Sequence, residues 1–192
     1  MDPEARRRAC VAFRVKLSRD TGANLTATAC ESLLGAAFQG EGGEEVSLRS
    51  DPGLFYAGLG AAIRDQTLPF VLPYHEKIAW WCFREAAEVH KHPVGMYRLG
   101  YCYHRGRGVT ANPAQASVWY HKAADLGHAA SKAALGVYLL NGEAPAGVVQ
   151  DTARGFALLR EAVEQGYGLA LFHVAQCYLK AGAEAYTRPL FG

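Results

Sequence analysis

Between residues 94 and 127, apolar and small side chains recur every three or four positions in two runs, with a glycine-rich stretch between them. In the first run Met96, Leu99, Gly100 and Tyr103 share one helical face. In the second, Ala116, Trp119, Ala123 and Leu126 make an inner stripe. Asn112-Pro113 supplies an N-cap and then a proline at the first helical position, where its missing N–H does no harm. Gly127 stands where a left-handed C-cap belongs. The pattern predicts a helix over 94–105, a turn, and a second helix from Pro113.

The unit repeats downstream. Leu99-Gly100 with Tyr103 returns 36 residues later as Leu135-Gly136 with Leu139, and more weakly another 39 residues on as Val174-Ala175 with Tyr178. Ala123-Ala124, Asp125 and Gly127 align with Ala162-Val163, Glu164 and Gly166, again 39 residues apart. The longer step lies in the loop, since Gly106 to Asn112 becomes Gly142 to Asp151, three residues more. In this second unit Asp151 is the cap, Gly155, Leu158 and Ala162 are the expected stripe, and Gly166 ends the helix. Small residues at Gly100, Gly136, Ala123 and Ala162 let helices approach, and Trp119 and Leu158 are expected to fill the space between them. One such hairpin cannot bury its apolar face, so the units must stack, and the fold class is all-α.

The string LGYCYHRGRGV followed by NPAQASVWYHKAADLGHA closely resembles the Sel-one-like repeat, a relative of the tetratricopeptide repeat. The matching positions are Leu99, Gly100, Tyr103, Gly106, Gly108, Val109, Ala116, Trp119, Tyr120, Lys122, Ala123, Ala124 and Gly127. The next unit departs from the pattern: Leu139 replaces the aromatic, the G-x-G-V turn is lost, and Leu158-Leu159 replaces Trp-Tyr. A third unit supplies only its first helix, over 168–181. The resemblance covers about half of the chain. It implies a right-handed superhelical αα-solenoid of short helix-turn-helix repeats that acts as a non-catalytic adaptor or scaffold.

The chain then reads as a basic segment 1–22, a degenerate helical region 23–92, the repeats 93–183 and a tail 184–192. Residues 24–39 are patterned as a helix, and Asp51-Pro52 is a second cap signal ahead of LFYAGLGAAIRDQ. Two parsings fit. In the preferred one, 24–66 is a degenerate repeat whose second helix starts at Asp51-Pro52, leaving 74–90 as an extra helix. In the other, Leu59-Gly60 opens a unit, 40 residues before Leu99-Gly100, and 74–90 is its second helix. REAAEVH within 74–90 aligns with HKAADLG at a spacing of 37. Trp80, Trp81 and Phe83 cannot all face one groove, so that helix is expected to pack on two sides.

Charge narrows the choice of partner. The net +2 is uneven: residues 1–20 hold six Arg or Lys against three acids, +3, which leaves −1 for the rest. A neutral repeat body argues against a nucleic-acid groove, whose affinity comes from neutralising phosphates. The basic N-terminus reads as a solvated or loosely docked helix, an organelle-targeting segment, or a contact arm for an acidic partner. Asp2 and Glu4 weaken the targeting reading. Five cysteines, Cys10, Cys30, Cys82, Cys102 and Cys177, form no close pair, and Cys102 and Cys177 share one repeat position. Reduced packing residues in an intracellular, reducing compartment are expected. No membrane-spanning run or secretory signal is seen.

Catalytic chemistry finds no foothold. GRG at 106–108 is a turn without the strand a phosphate loop needs, and no nucleophile sits beside an obvious base. His90 and His92 at i,i+2 share no face, and His173 with Cys177 makes only two ligands. The expectation is no catalytic site, metal or cofactor. What can bind is the wall lined by the first helices: Arg98, Tyr101 and Arg105, then Val137 and Asn141, then His173, Gln176 and Lys180. It is mildly basic and suits an acidic or amphipathic segment of another protein subunit. Helix 168–181 lacks a second helix, so either the tail folds back over it with Tyr186, Leu190 and Phe191, or, the preferred reading, a partner covers an open end marked by Leu169, Phe172 and those tail residues. The alternative is an organellar RNA-binding helical-repeat protein, which a strict 35-residue period and a basic groove would favour.

Overall fold

The computed structural model describes residues 3–37, 51–65, 75–141 and 151–180. Every regular element among them is helical: α1 (Pro3–Thr21), α2 (Ala27–Ala37), α3 (Pro52–Arg64), α4 (His75–Arg84), α5 (Pro93–Arg105), α6 (Pro113–Asp125), α7 (Ala129–Asn141), α8 (Thr152–Glu164) and α9 (Gly168–Lys180). They form two compact units, Met1–Ala116 and Ser117–Gly192, divided within α6.

In the first unit Asp51 starts α3 as the pattern requires: its carboxylate accepts from the Leu54 N–H at 2.8 Å, and Pro52 follows. Leu59 and Ile63 are buried, and α3 lies along α4 and α5. At Gly60 an added Cβ would stand 2.7 Å from the Phe83 ring, so this glycine is the seat on which α4 rests. Leu59-Gly60 therefore opens a hairpin whose second helix is α4. The preference for pairing 24–39 with the helix after Asp51 is corrected: α2 touches both α1 and α3, while the extensive partner of α3 is α4. Trp81 and Phe83 are fully buried, whereas Trp80 is half-buried with the Arg84 guanidinium over its ring at 5.1 Å.

α4 continues as a π turn over Glu85–Val89. The cause is one extra residue. Ala86 precedes Ala123 by 37 positions, but the left-handed residue that ends this helix, Lys91 at φ 53°, precedes its counterpart Gly127 by only 36. The helix absorbs the surplus by bonding five residues back, His90 N–H to the Glu85 carbonyl at 3.3 Å. Gly95 of α5 closes onto the same turn, where a Cβ would stand 2.4 Å from that of Ala86.

α1 is an integral helix, neither solvated nor loosely docked. Cys10, Phe13, Leu17 and Thr21 are buried. The Phe13 ring stacks on Tyr56 at 6.4 Å and meets Trp81 edge-on at 5.6 Å. Polar residues on the same side are matched: Lys16 pairs with the buried Glu85, and Asp20 accepts from Trp81 Nε1 at 3.1 Å beside Arg84. The hydrogen bond from Trp81, and after it that from Arg19, holds the Asp20 carboxyl below its usual range. The turn after α5 uses Gly106 and Gly108 at φ 69° and 70°, and a Cβ on Gly108 would strike the Glu76 carbonyl oxygen at 2.2 Å. Asn112 then caps α6, accepting from the Gln115 N–H at 3.1 Å.

In the second unit Gly136 and Gly155 face each other. A Cβ on Gly136 would lie 2.8 Å from both the Gly155 carbonyl oxygen and Leu159 Cγ. Leu159 is fully buried among Ala133, Ala162, Ala170 and Val174, burial worth about 2 kcal/mol. This corrects the expected stripe of α8, for Leu158 is only half-buried and Leu159 is the core residue. Leu126, placed in the inner stripe of α6, is exposed, because the helix ends at Asp125 and Leu126 already belongs to the turn. Trp119 is buried as expected, with Lys122 Nζ 4.2 Å from its ring centre. Asp151 caps α8 through the Arg154 N–H at 2.9 Å.

Candidate functional site

α5 presents its outward residues because Met96, Leu99 and Cys102 hold the opposite face in the core. Arg98, Tyr101 and Arg105 follow at i, i+3 and i+7, so they share one face. Arg98 and Tyr101 are half-buried and Arg105 is exposed. The Arg98 guanidinium lies 5.7 Å from the Tyr97 ring centre. Beside this face α3 ends at Asp65, whose carboxylate accepts from Arg64 Nε and Nη2, both at 2.7 Å. That pair of bonds holds the Asp65 carboxyl below its usual range against partial desolvation, and the positive fields of Arg64, Arg98 and Arg107 add to it. Three guanidinium groups thus act on one carboxylate, which leaves the patch net positive.

Sequence reasoning missed Arg64, Asp65 and Arg107. The signal was the 40-residue step from Leu59-Gly60 to Leu99-Gly100, which sets Arg64-Asp65 at the end of a first helix just as His104-Arg105 ends α5.

In the second unit Val137 is half-buried against the core around Leu159, so it offers little open surface. Asn141 closes α7 and Lys180 closes α9, with side chains outside the described residues. His173 is half-buried, its ring 5.8 Å from that of Phe172, and Gln176 is exposed. α9 buries Ala170 and Val174, which stand 39 residues after the buried Ser131 and Leu135 of α7. The same step carries Ala133, Gly136 and Leu140, the α7 positions on the α8 side, onto Phe172, Ala175 and Leu179. In α9 these are open: Phe172 is 58% and Leu179 83% exposed, with Leu169 at 61% beside them. Tyr186, Leu190 and Phe191 lie outside the described residues.

The cysteines and histidines are occupied with packing. Burial pushes the Cys102 thiol up to about 12, and burial likewise raises Cys30 and Cys82, so none supplies a thiolate near neutrality. Cys177 is half-buried rather than buried. His90 stacks on Tyr56 with ring centres 5.5 Å apart, and His92 lies 3.8 Å from the Asp51 carboxylate. Desolvation, then Arg154, lowers the pKa of His121. Among the described residues no three His, Cys, Asp or Glu side chains gather as a metal site requires, and no helix is long and apolar enough to cross a membrane.

The Sel1 repeat family model matches residues 93–128 and 129–167. A solved Sel1 repeat protein from Oxalobacter formigenes is 21% identical with a TM-score of 0.59, over 69% of this chain and 51% of its own. A protective antigen present in uropathogenic Escherichia coli strains, displaying an SLR fold, is 19% identical with a TM-score of 0.57, over 92% of this chain and 42% of its own. The chain thus spans about half the length of either solved relative. No curated protein matches the sequence. Residues 93–167 thus match two Sel1 repeats, and the chain shares the helical fold of the SLR solenoid proteins. Sel1 repeats are generally protein-interaction modules and typically non-catalytic scaffolds.

Proposed function

We propose that this protein is a non-catalytic adaptor that holds other protein subunits through two kinds of surface. The observation that carries the reading is the open face of α9. Phe172, Ala175 and Leu179 stand where Ala133, Gly136 and Leu140 of α7 stand beside α8. A helix in the place of α8 would cover that face, and an amphipathic helix of a partner has the needed shape. On the first unit, Arg98, Tyr101 and Arg105, joined by exposed Arg107, suit an acidic segment, since bidentate guanidinium–carboxylate pairs give geometry as well as attraction. On the second unit, half-buried His173 and exposed Gln176 of α9 are polar candidates for a separate contact.

The test is an affinity capture from native extract with wild type, Phe172→Glu/Leu179→Glu and Arg98→Glu/Tyr101→Ala as baits, with and without nuclease. Stoichiometric protein partners that survive nuclease and are lost with either double variant are expected. Partners captured equally by all three baits would defeat the assignment of these surfaces. Loss of every partner after nuclease would favour the RNA-binding alternative.

A further inference from the structure

The inner face of α1 is committed to the first unit through Phe13, Leu17, Lys16 and Asp20, which leaves its outer face to explain. Arg7, Val11, Val15 and Arg19 follow at four-residue intervals, so they form one inclined row, about 18 Å long and winding by about 120° over the outer side of the helix. Val11 is 58% and Val15 63% exposed, and Arg7 and Arg14 are exposed beside them. Arg19 shares its charge with Asp20 at 3.0 Å. Two open β-branched side chains bracketed by arginines serve solubility and helix propensity less well than Ala, Lys or Glu would. α1 is also held rigid by its buried side, so a partner on this row does not have to order it first.

We propose that the Arg7–Val11–Val15–Arg19 row of α1, flanked by Arg14, is a docking surface for an acidic amphipathic helix of a partner protein. Charge complementarity selects that occupant: the row is cationic, with an apolar centre two residues long. A partner helix with leucines at i, i+4 and i+7 and glutamates on either side would lay its apolar stripe over the valines and its carboxylates against Arg7 and Arg14. A lipid surface fits less well, since interfacial helices insert Trp, Phe or Leu and this face has none. Nucleic acid would use the arginines but gain nothing from the valines. This surface is separate from α9 and α5, and it stands or falls independently of them.

The experiment is fluorescence anisotropy on the full chain with a labelled peptide of about 15 residues carrying that leucine and glutamate pattern, against a scrambled peptide of the same composition. The patterned peptide is expected to bind at least about tenfold tighter than the scrambled one, and to weaken about tenfold between roughly 50 and 300 mM salt. Val11→Asp/Val15→Asp and, separately, Arg7→Glu/Arg14→Glu should each reduce its affinity about tenfold. Both pairs face outward, and circular dichroism checks that each variant keeps the wild-type helix content. Equal binding of the scrambled peptide, no measurable binding, or indifference to both double variants would overturn the proposal. Binding to phosphatidylserine-containing vesicles that is lost in the same variants, with none to the peptide, would also overturn it and assign the row to lipid.

Discussion

The α3–α4 and α7–α8 hairpins solve one packing problem with different side chains. In each, a glycine on the first helix faces a large apolar residue 23 positions later, Gly60 with Phe83 and Gly136 with Leu159. Four residues before that large residue stands Ala79 in one hairpin and Gly155 in the other. Gly155 brings the two backbones together, with carbonyl oxygens less than 3 Å from the reciprocal Cβ positions, and the large residue there is a leucine. At Gly60 the three nearest atoms all belong to the Phe83 ring, and buried Ala79 occupies the sequence position that Gly155 holds in the other hairpin. Volume is moved from backbone proximity into an aromatic ring, and the seam stays closed. Recognition of the repeat from sequence depends on which side chains are used, whereas the fold requires only their sum.

The largest expected effects come from emptying the seams. Phe83→Ala should cost about 3–5 kcal/mol and Leu159→Ala about 2–5 kcal/mol in urea unfolding. Hydrogen exchange should rise in α3–α4 for the first and in α7–α8 for the second, and loss of protection in neither hairpin would refute the assigned seams.

Overfilling them should cost less and should separate the two designs. Gly136→Ala meets backbone and is expected to cost about 2–3 kcal/mol, while Gly60→Ala meets only a ring edge and should cost about 1–2 kcal/mol. Adding Leu159→Phe to Gly155→Ala rebuilds the Ala79–Phe83 arrangement. The double variant should therefore recover part of the stability lost by Gly155→Ala, by about 1 kcal/mol. Strict additivity would break the comparison.

The helix ends differ too. Lys91 holds the left-handed conformation that Gly127 and Gly166 hold elsewhere. Lys91→Gly should raise stability by about 0.5–1 kcal/mol, and Gly166→Lys should lower it by about 1 kcal/mol, both read as shifts in the urea midpoint.

The smallest effect is on acid. The folded-state pKa values of Asp20 and Asp65 lie below the unfolded carboxylate value of about 3.9. Their contribution is present above that value and is lost as the pH falls through the lowered folded values. Both groups are partly exposed, so each contributes under about 1 kcal/mol. Asp20→Asn should flatten the acid limb of the stability curve below about pH 4, and an unchanged limb would show that the Trp81 bond carries no linkage.

Much of this molecule is legible in its sequence. Asn112-Pro113, Asp51-Pro52 and Asp151 announce helix starts, and all three cap as their chemistry requires, because capping is a local bargain between one side chain and the next N–H groups. Gly106, Gly127 and Gly166 mark their turns for the same local reason, a left-handed backbone. The choice between Leu158 and Leu159 was not legible: both suit the helical period, and only the position of Gly136 opposite decides it. The docking of α1 was hidden as well. Lys16 and Asp20 interrupt its apolar stripe, and they become inward-compatible only because Glu85 and Trp81, more than sixty residues away, receive them.

The π turn lies between these cases. Its surplus residue is countable from the 37- and 36-residue spacings, but whether a surplus loops out or is wound in depends on what presses against it. Gly95 packed onto Ala86 leaves no room for a loop. Caps, turns and repeat period are short-range, so the chain alone determined them. Seam depth, the face of α1 and the winding of α4 are set by contacts between residues distant in sequence, and only the tertiary structure decided those.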